Sequence, residues 1–260
     1  HWREGAGIKA ATAKYRWKDR VVNAGWVTTF SEFSVVSENR VTPIPHDFDL
    51  RLAPLFGCAI TTAFGVVHNN ARMKCGESIL IIGSGGVGAA IIHAAALISA
   101  YPIIAVDLND FKLRQSFRFG ASHTFHSHRD NVREKVLALL PTGVDVVVDT
   151  TGIRALRELA YELTSKEGRT ILVGVPKAGE TMNIDSFPLH FTKRITGSHG
   201  GDARPHYDIP RLIRLSQQGK LKLDEMVTHT FTLDQINDAL AFLRQGDALR
   251  CLIKMDPLEL

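Results

Sequence analysis

The stretch from 78 to 107, SILIIGSGGVGAAIIHAAALISAYPIIAVD, limits the possible folds of this chain more than any other. Its first apolar run, Ile79 to Ile82, has the length of a strand buried on both faces. Gly83, Gly85 and Gly88 follow in a GxGxxG spacing, and an alanine-rich apolar helix is predicted over 87–97. A second apolar run, 103–106, ends at Asp107, about 20 residues beyond the last of these glycines. Strand, glycine turn, helix, strand and terminal acid together make a βαβ unit of the dinucleotide-binding kind. Gly83 permits the tight turn out of the strand. Gly85 lets backbone N–H groups approach a pyrophosphate, and Gly88 lets helix and strand pack closely. The helix N-terminus adds unpaired N–H groups and a positive dipole end. Asp107 suits the ribose hydroxyls of an adenosine and repels a 2′-phosphate. No arginine occurs at 108–110, so NAD is expected rather than NADP.

The rest of the chain continues the alternation. Helices are predicted at 110–119, 131–140 and 153–163, and strands at 123–125, 144–149 and 170–175. Strands alternating with helices of this length imply a parallel sheet with helices on both faces, the doubly wound α/β (Rossmann) architecture, here with about six strands. Ahead of it, 1–25 is polar with isolated aromatics, 25–38 reads as a turn and then a strand through Phe30, Phe33, Val35 and Val36, and 49–69 reads as one helix. Beyond it come short extended pieces over 181–198, helices at 209–218 and 233–243, and strands at 227–231 and 250–255. Asp149 and Thr151 stand where a crevice opens at the carboxyl ends of such strands. Either could meet a cofactor or simply bond the backbone.

Composition enters by exclusion. The formal net charge of +4 is spread along the chain with no run of five like charges, so a nucleic-acid partner is not expected. No apolar stretch reaches the ~18 residues that a membrane-spanning helix needs, so no membrane partner is expected either. The 3 cysteines, Cys58, Cys75 and Cys251, are too few for a disulfide framework and fit a reducing, cytoplasmic setting.

In this order the motifs TTFSEFSVVSENRVTPIP, LFGCAITTAFG, IIGSGGVG, VDLNDFK, LVGVP and ALRCLIKM resemble the medium-chain dehydrogenase/reductase superfamily. Within it, the chain is most similar to the zinc-dependent alcohol dehydrogenases. The resemblance implies that Cys58 is a catalytic-zinc ligand and that Thr62 contacts the nicotinamide. It implies a pyrophosphate turn made by Gly83, Gly85, Gly86, Val87 and Gly88, a ribose-binding acid at Asp107 and an adenosine-end lysine at Lys112. Val173 and Val175 would line the nicotinamide pocket, and Arg250 would reach the pyrophosphate from the C-terminal segment.

The sequence also departs from that family. The family's other zinc ligands and its proton-relay hydroxyl come from an N-terminal GroES-like domain, and its structural zinc lobe carries four cysteines. No CxxC occurs here, and no second cysteine stands beside Cys58. The resemblance therefore implies a partial GroES-like domain over 1–62, an NAD-binding Rossmann domain over 63–199 and a segment over 200–260 returning to the catalytic domain. It also implies zinc only in an intact protein. That protein would be an NAD-dependent oxidoreductase moving a hydride between an alcohol carbon and nicotinamide, acting on a small alcohol or carbonyl compound. This chain would supply the cofactor half, hold no catalytic residue of its own and be inactive alone. A homodimer paired through 194–198 is expected. The alternatives are a zinc-free enone or quinone reductase of the same superfamily, and a non-catalytic NAD(H)-binding module.

Overall fold

A computed structural model describes residues 14–23 and 29–255. Strands β1 (Lys14–Trp17) and β2 (Arg20–Asn23) pair antiparallel as a hairpin, which the polar sequence of this region did not signal. Helices α1 (Ala53–Phe56) and α2 (Ala59–Gly65) follow, and a π-type turn, Val66–Asn70, prolongs α2. The alternating region then runs β3 (Ile79–Ile82), α3 (Gly86–Leu97), β4 (Ile103–Asp107), α4 (Asp110–Phe119) and β5 (His123–His126). It continues with α5 (Val132–Leu139), β6 (Val144–Asp149), α6 (Arg154–Leu163), β7 (Thr164–Leu172) and β8 (Arg194–Gly197). Helix α7 (Pro205–Gln217), strand β9 (Val227–Thr232), helix α8 (Ile236–Gln245) and strand β10 (Arg250–Lys254) complete the described chain.

Strands β3 to β8 form one six-stranded sheet in the order β5-β4-β3-β6-β7-β8, every neighbouring pair parallel. Alternate residues of a strand face opposite sides of a sheet, and each side here is covered. Ile79 and Ile81 of β3 pack in one core with Ile60 and Phe64 of α2 and Ile91 of α3. Leu80 and Ile82 pack in a second core with Val136 of α5 and with Ala160 and Leu163 of α6. Burial on both faces explains why β3, β4 and β6 read as continuous apolar runs. From β3 the chain winds first toward β5 and then back past β3 toward β8. The crevice outside the carboxyl ends therefore opens beside β3, the place where such sheets hold ligands.

Several expectations fail locally. No strand forms over 29–37; Phe30, Phe33 and Val35 are exposed, and the stretch pairs with no described strand. Residues 25–28 of that expected strand lie outside the described residues. The single helix expected over 49–69 breaks at Cys58, whose φ of −144° and ψ of −68° are not helical. The hydroxyl of Thr61 donates to the carbonyls of Phe56 (2.9 Å) and Cys58 (3.2 Å), serving groups near the break. Strand β7 starts at Thr164 and stops at Leu172, so Val173 and Val175 lie in the following loop rather than in the strand expected over 170–175. Helix α7 starts at Pro205 instead of 209, because proline suits a first helical turn.

Candidate functional site

The turn between β3 and α3 consists of Gly83, Ser84 and Gly85. Gly83 has a φ of +92°, and its carbonyl accepts the hydroxyl proton of Thr150 at 2.7 Å, which ties the turn to the end of β6. A Cβ at Gly88 would be driven into the carbonyl of Gly83, so that glycine serves helix-on-strand packing. Gly85 differs. A Cβ there would meet no atom within 4 Å, so nothing in the chain's own packing requires a glycine. Gly85 is also the N-cap of α3 and offers no side-chain cap to the first N–H groups of the helix. The hydroxyl oxygen of the neighbouring Ser84 is buried without a hydrogen bond among the described residues.

Arg250, the first residue of β10, lies over this helix end. A Cβ on Gly86 would come within 2.9 Å of Arg250 Cζ and 2.6 Å of the Leu249 carbonyl. Arg250 Nε is buried and makes no hydrogen bond among the described residues. Burial pushes its pKa below the ordinary guanidinium value, and the nearby Cys58 sulfur opposes that only in part. A partly desolvated guanidinium and a positive helix end thus converge, and Arg250 forms no ion pair with a carboxylate among the described residues. That arrangement fits the two negative phosphates of a dinucleotide.

Asp107 ends β4 almost completely buried. Its Oδ2 accepts from Ser84 N at 2.8 Å and its Oδ1 from Asn109 N at 3.0 Å. The carboxylate thereby braces both the glycine turn and the start of α4, and each oxygen keeps a further lone pair for a sugar hydroxyl. Asn109 caps α4 through Lys112 N (3.2 Å) and donates to Asp247 at 2.9 Å. Gly246 lies beside Asn109 and the ammonium of Lys112. Residues 246–250 therefore run along the crevice from the Lys112 end to the Gly86 end.

On the other side, Asp149 is fully buried and spends its carboxylate locally. It accepts from the hydroxyl of Thr151 at 2.6 Å, Thr151 N at 3.1 Å and Gly152 N at 2.9 Å. Its carbonyl accepts from Val173 N (2.8 Å) and Gly174 N (3.0 Å), joining the loops after β6 and β7. Thr151 is engaged in the same turn, where its hydroxyl accepts from Ile153 N at 3.1 Å. Val173 packs against the core, whereas Val175 is 89% exposed.

Cys58 and Thr62 line a pocket of about 500 Å³ together with Arg40, Thr42, Ile44 and Phe56. Thr62 N donates to the Cys58 carbonyl at 2.9 Å; Thr62 is buried and Cys58 exposed. Ser84, Asn109 and Arg40 went unremarked in the sequence. The first two carry a signal, one inside the glycine motif and one at a helix cap. Arg40 carries none.

Residues 86–218 match the model of the zinc-binding dehydrogenase family. The chain belongs to that family. It is 33% identical, over 238 residues, to the S-(hydroxymethyl)glutathione dehydrogenase of Saccharomyces cerevisiae, a match covering 89% of this chain and 62% of that protein. Among solved structures it is similar to an alcohol dehydrogenase zinc-binding domain protein from Burkholderia ambifaria (TM-score 0.81, 30% identity, 86% of this chain and 60% of that one). The benzyl alcohol dehydrogenase of Acinetobacter calcoaceticus is equally similar in fold (TM-score 0.81, 29% identity, 85% and 61%). This chain thus spans about 60% of the length of these relatives. The expected kinship with zinc-dependent alcohol dehydrogenases is borne out.

The same chain tests differently for the two groups its family implies. For a dinucleotide, the open space at Gly85 and the unpartnered Nε of Arg250 fit. For zinc, Cys58 stands without company. Among the described residues no three His, Cys, Asp or Glu side chains gather where they could hold a metal ion. A catalytic zinc takes three protein ligands, so the residues described here do not make a zinc centre.

Proposed function

We propose that this chain supplies the NAD(H)-binding half of an oxidoreductase acting on a small alcohol or carbonyl compound. The observation that carries the reading is the half-buried Arg250, whose buried Nε makes no hydrogen bond among the described residues, over the uncapped first turn of α3. In this reading the amides of Gly85, Gly86 and Val87 and the fork of Arg250 hold the pyrophosphate. The tightness of Gly83 and Gly88 keeps that turn in shape. Asp107 accepts the ribose hydroxyls and disfavours a 2′-phosphate, and Lys112 serves the adenosine end. Thr62, Val173 and Val175 border the nicotinamide. Bound NAD⁺ would take up the hydride released from an alcohol carbon. The pocket beside Cys58 and Thr62, largely apolar, would receive the alcohol.

A zinc ion at Cys58 would need ligands beyond those described, so the chain alone is proposed to hold cofactor without turning over. The division 1–62, 63–199 and 200–260 belongs to the same reading, as do a cytoplasmic setting, favoured by the three free cysteines, and pairing of two copies through β8. No helix among the described residues is long and apolar enough to cross a membrane. A second reading, a module that binds NAD(H) without any catalytic role, is favoured by the solitary position of Cys58. The experiment is to incubate the 260-residue chain with NAD⁺, zinc and benzyl alcohol and to follow NADH absorbance. No alcohol-dependent reduction is expected; sustained turnover would overturn the half-site reading.

A further inference from the structure

The loop after β7 is held by α6 at three points. Tyr161 Oη donates to the Asp185 carbonyl at 2.8 Å, Glu158 accepts from Asn183 N at 2.8 Å, and Arg157 faces Glu180 at 3.5 Å. Its root is fixed separately, by the Asp149 carbonyl and by Gly174, which lies flat on the backbone of residues 150–152 with no room for a Cβ. Arg157 is the unusual member of this set. Its side chain is 5% exposed, and its Nε and Nη2 are buried without a hydrogen bond among the described residues. Its counter-charge, Glu180, sits at the turn closed by the bond from Glu180 N to the Lys177 carbonyl at 3.1 Å.

Burying a guanidinium is costly, and an apolar side chain of similar volume in such a place is often neutral or stabilising. Core packing alone therefore does not account for an arginine here. A cation under the loop does one thing that an aliphatic chain cannot: it draws one particular carboxylate, and with it one loop register, toward α6. The loop so fixed begins with Val173 and Val175, and the backbone carbonyl of Val175 already lies against Gly152, within 2.8 Å of where a Cβ would sit.

We propose that Arg157 is a positioning residue which, through Glu180, sets the 173–182 loop at the nicotinamide end of the crevice. The inference rests on the NAD(H) reading and adds to it that the two halves of the cofactor are gripped separately. The Arg250 side holds the ADP-ribose portion, and the Arg157–Glu180 pair governs only the nicotinamide portion.

The test is calorimetric titration of the chain with NADH and, separately, with ADP-ribose, which lacks the nicotinamide ring. Arg157→Met removes the cation. Glu180→Gln removes the anion from a partly exposed site and leaves folding intact. Arg157→Lys restores the charge. Loss of loop order should weaken NADH binding about fivefold in R157M and E180Q, with ADP-ribose affinity unchanged and R157K intermediate. Equal weakening of both ligands, or unchanged NADH binding in E180Q, would overturn the inference while leaving the cofactor reading in place. Failure of the unaltered chain to bind either ligand would overturn the cofactor reading itself, and this inference with it.

Discussion

Arg250 carries a charge that burial disfavours and that no described residue offsets by a hydrogen bond. Such a group makes a poor structural element and a good ligand-binding one, because a phosphate oxygen would complete it. Replacing it with methionine should separate the two roles. The urea midpoint of R250M should hold or rise, since an uncompensated buried charge is removed. NADH affinity should fall about tenfold or more, the scale of a lost charge-assisted hydrogen bond. A lower midpoint with unchanged affinity would make Arg250 a structural residue. The residue scale also shows where sequence reading stopped. Asp107 and Asp149 both end apolar strands and look alike in the sequence. The structure distinguishes them by their remaining bonds. Asp149 is used up by Thr151 and Gly152, whereas Asp107 makes one bond per oxygen and keeps capacity.

At the scale of the element, β3, α3 and β4 were legible because one segment carries all their determinants. Apolar runs of strand length, glycines at fixed spacing and an alanine-rich helix need no distant partner to be read. The hairpin β1–β2 and the irregular 29–37 stretch were not legible, since their form depends on neighbours that a local pattern does not name. The break at Cys58 was missed for the same reason: Thr61 serves the carbonyls near it through its side chain, which periodicity does not reveal. The glycine turn itself yields a sharp contrast. Gly85→Ala should leave thermal stability nearly unchanged, because its Cβ enters open space, yet it should abolish detectable NADH binding. Gly88→Ala, which forces a methyl group against the Gly83 carbonyl, should destabilise the fold by about 2 kcal/mol. Melting curves and titrations of the two variants decide the matter; similar behaviour of both would mean that Gly85 is kept for packing.

For the whole molecule, the sheet ends at β8, whose outer edge has no partner strand among the described residues. Edges of this kind are usually covered or paired, and pairing two copies there would continue the sheet. Sedimentation velocity should give a dimer, and a monomer at all concentrations would remove β8 pairing from consideration. The crevice draws on distant parts of the chain: Cys58 and Thr62 before the sheet, the turn at Gly85 and Asp107 within it, Arg250 near its end. Only the middle group was readable from local sequence pattern; the others were reached through family resemblance, and the structure brings Arg250 to Gly86. The most direct test is equilibrium binding of NADH and NADPH to the unaltered chain under identical salt. Tighter binding of NADH, by about tenfold or more from the proposed placing of the Asp107 carboxylate against the ribose, is expected. Tighter binding of NADPH, or no binding of either nucleotide, would contradict the assignment of this crevice to NAD(H).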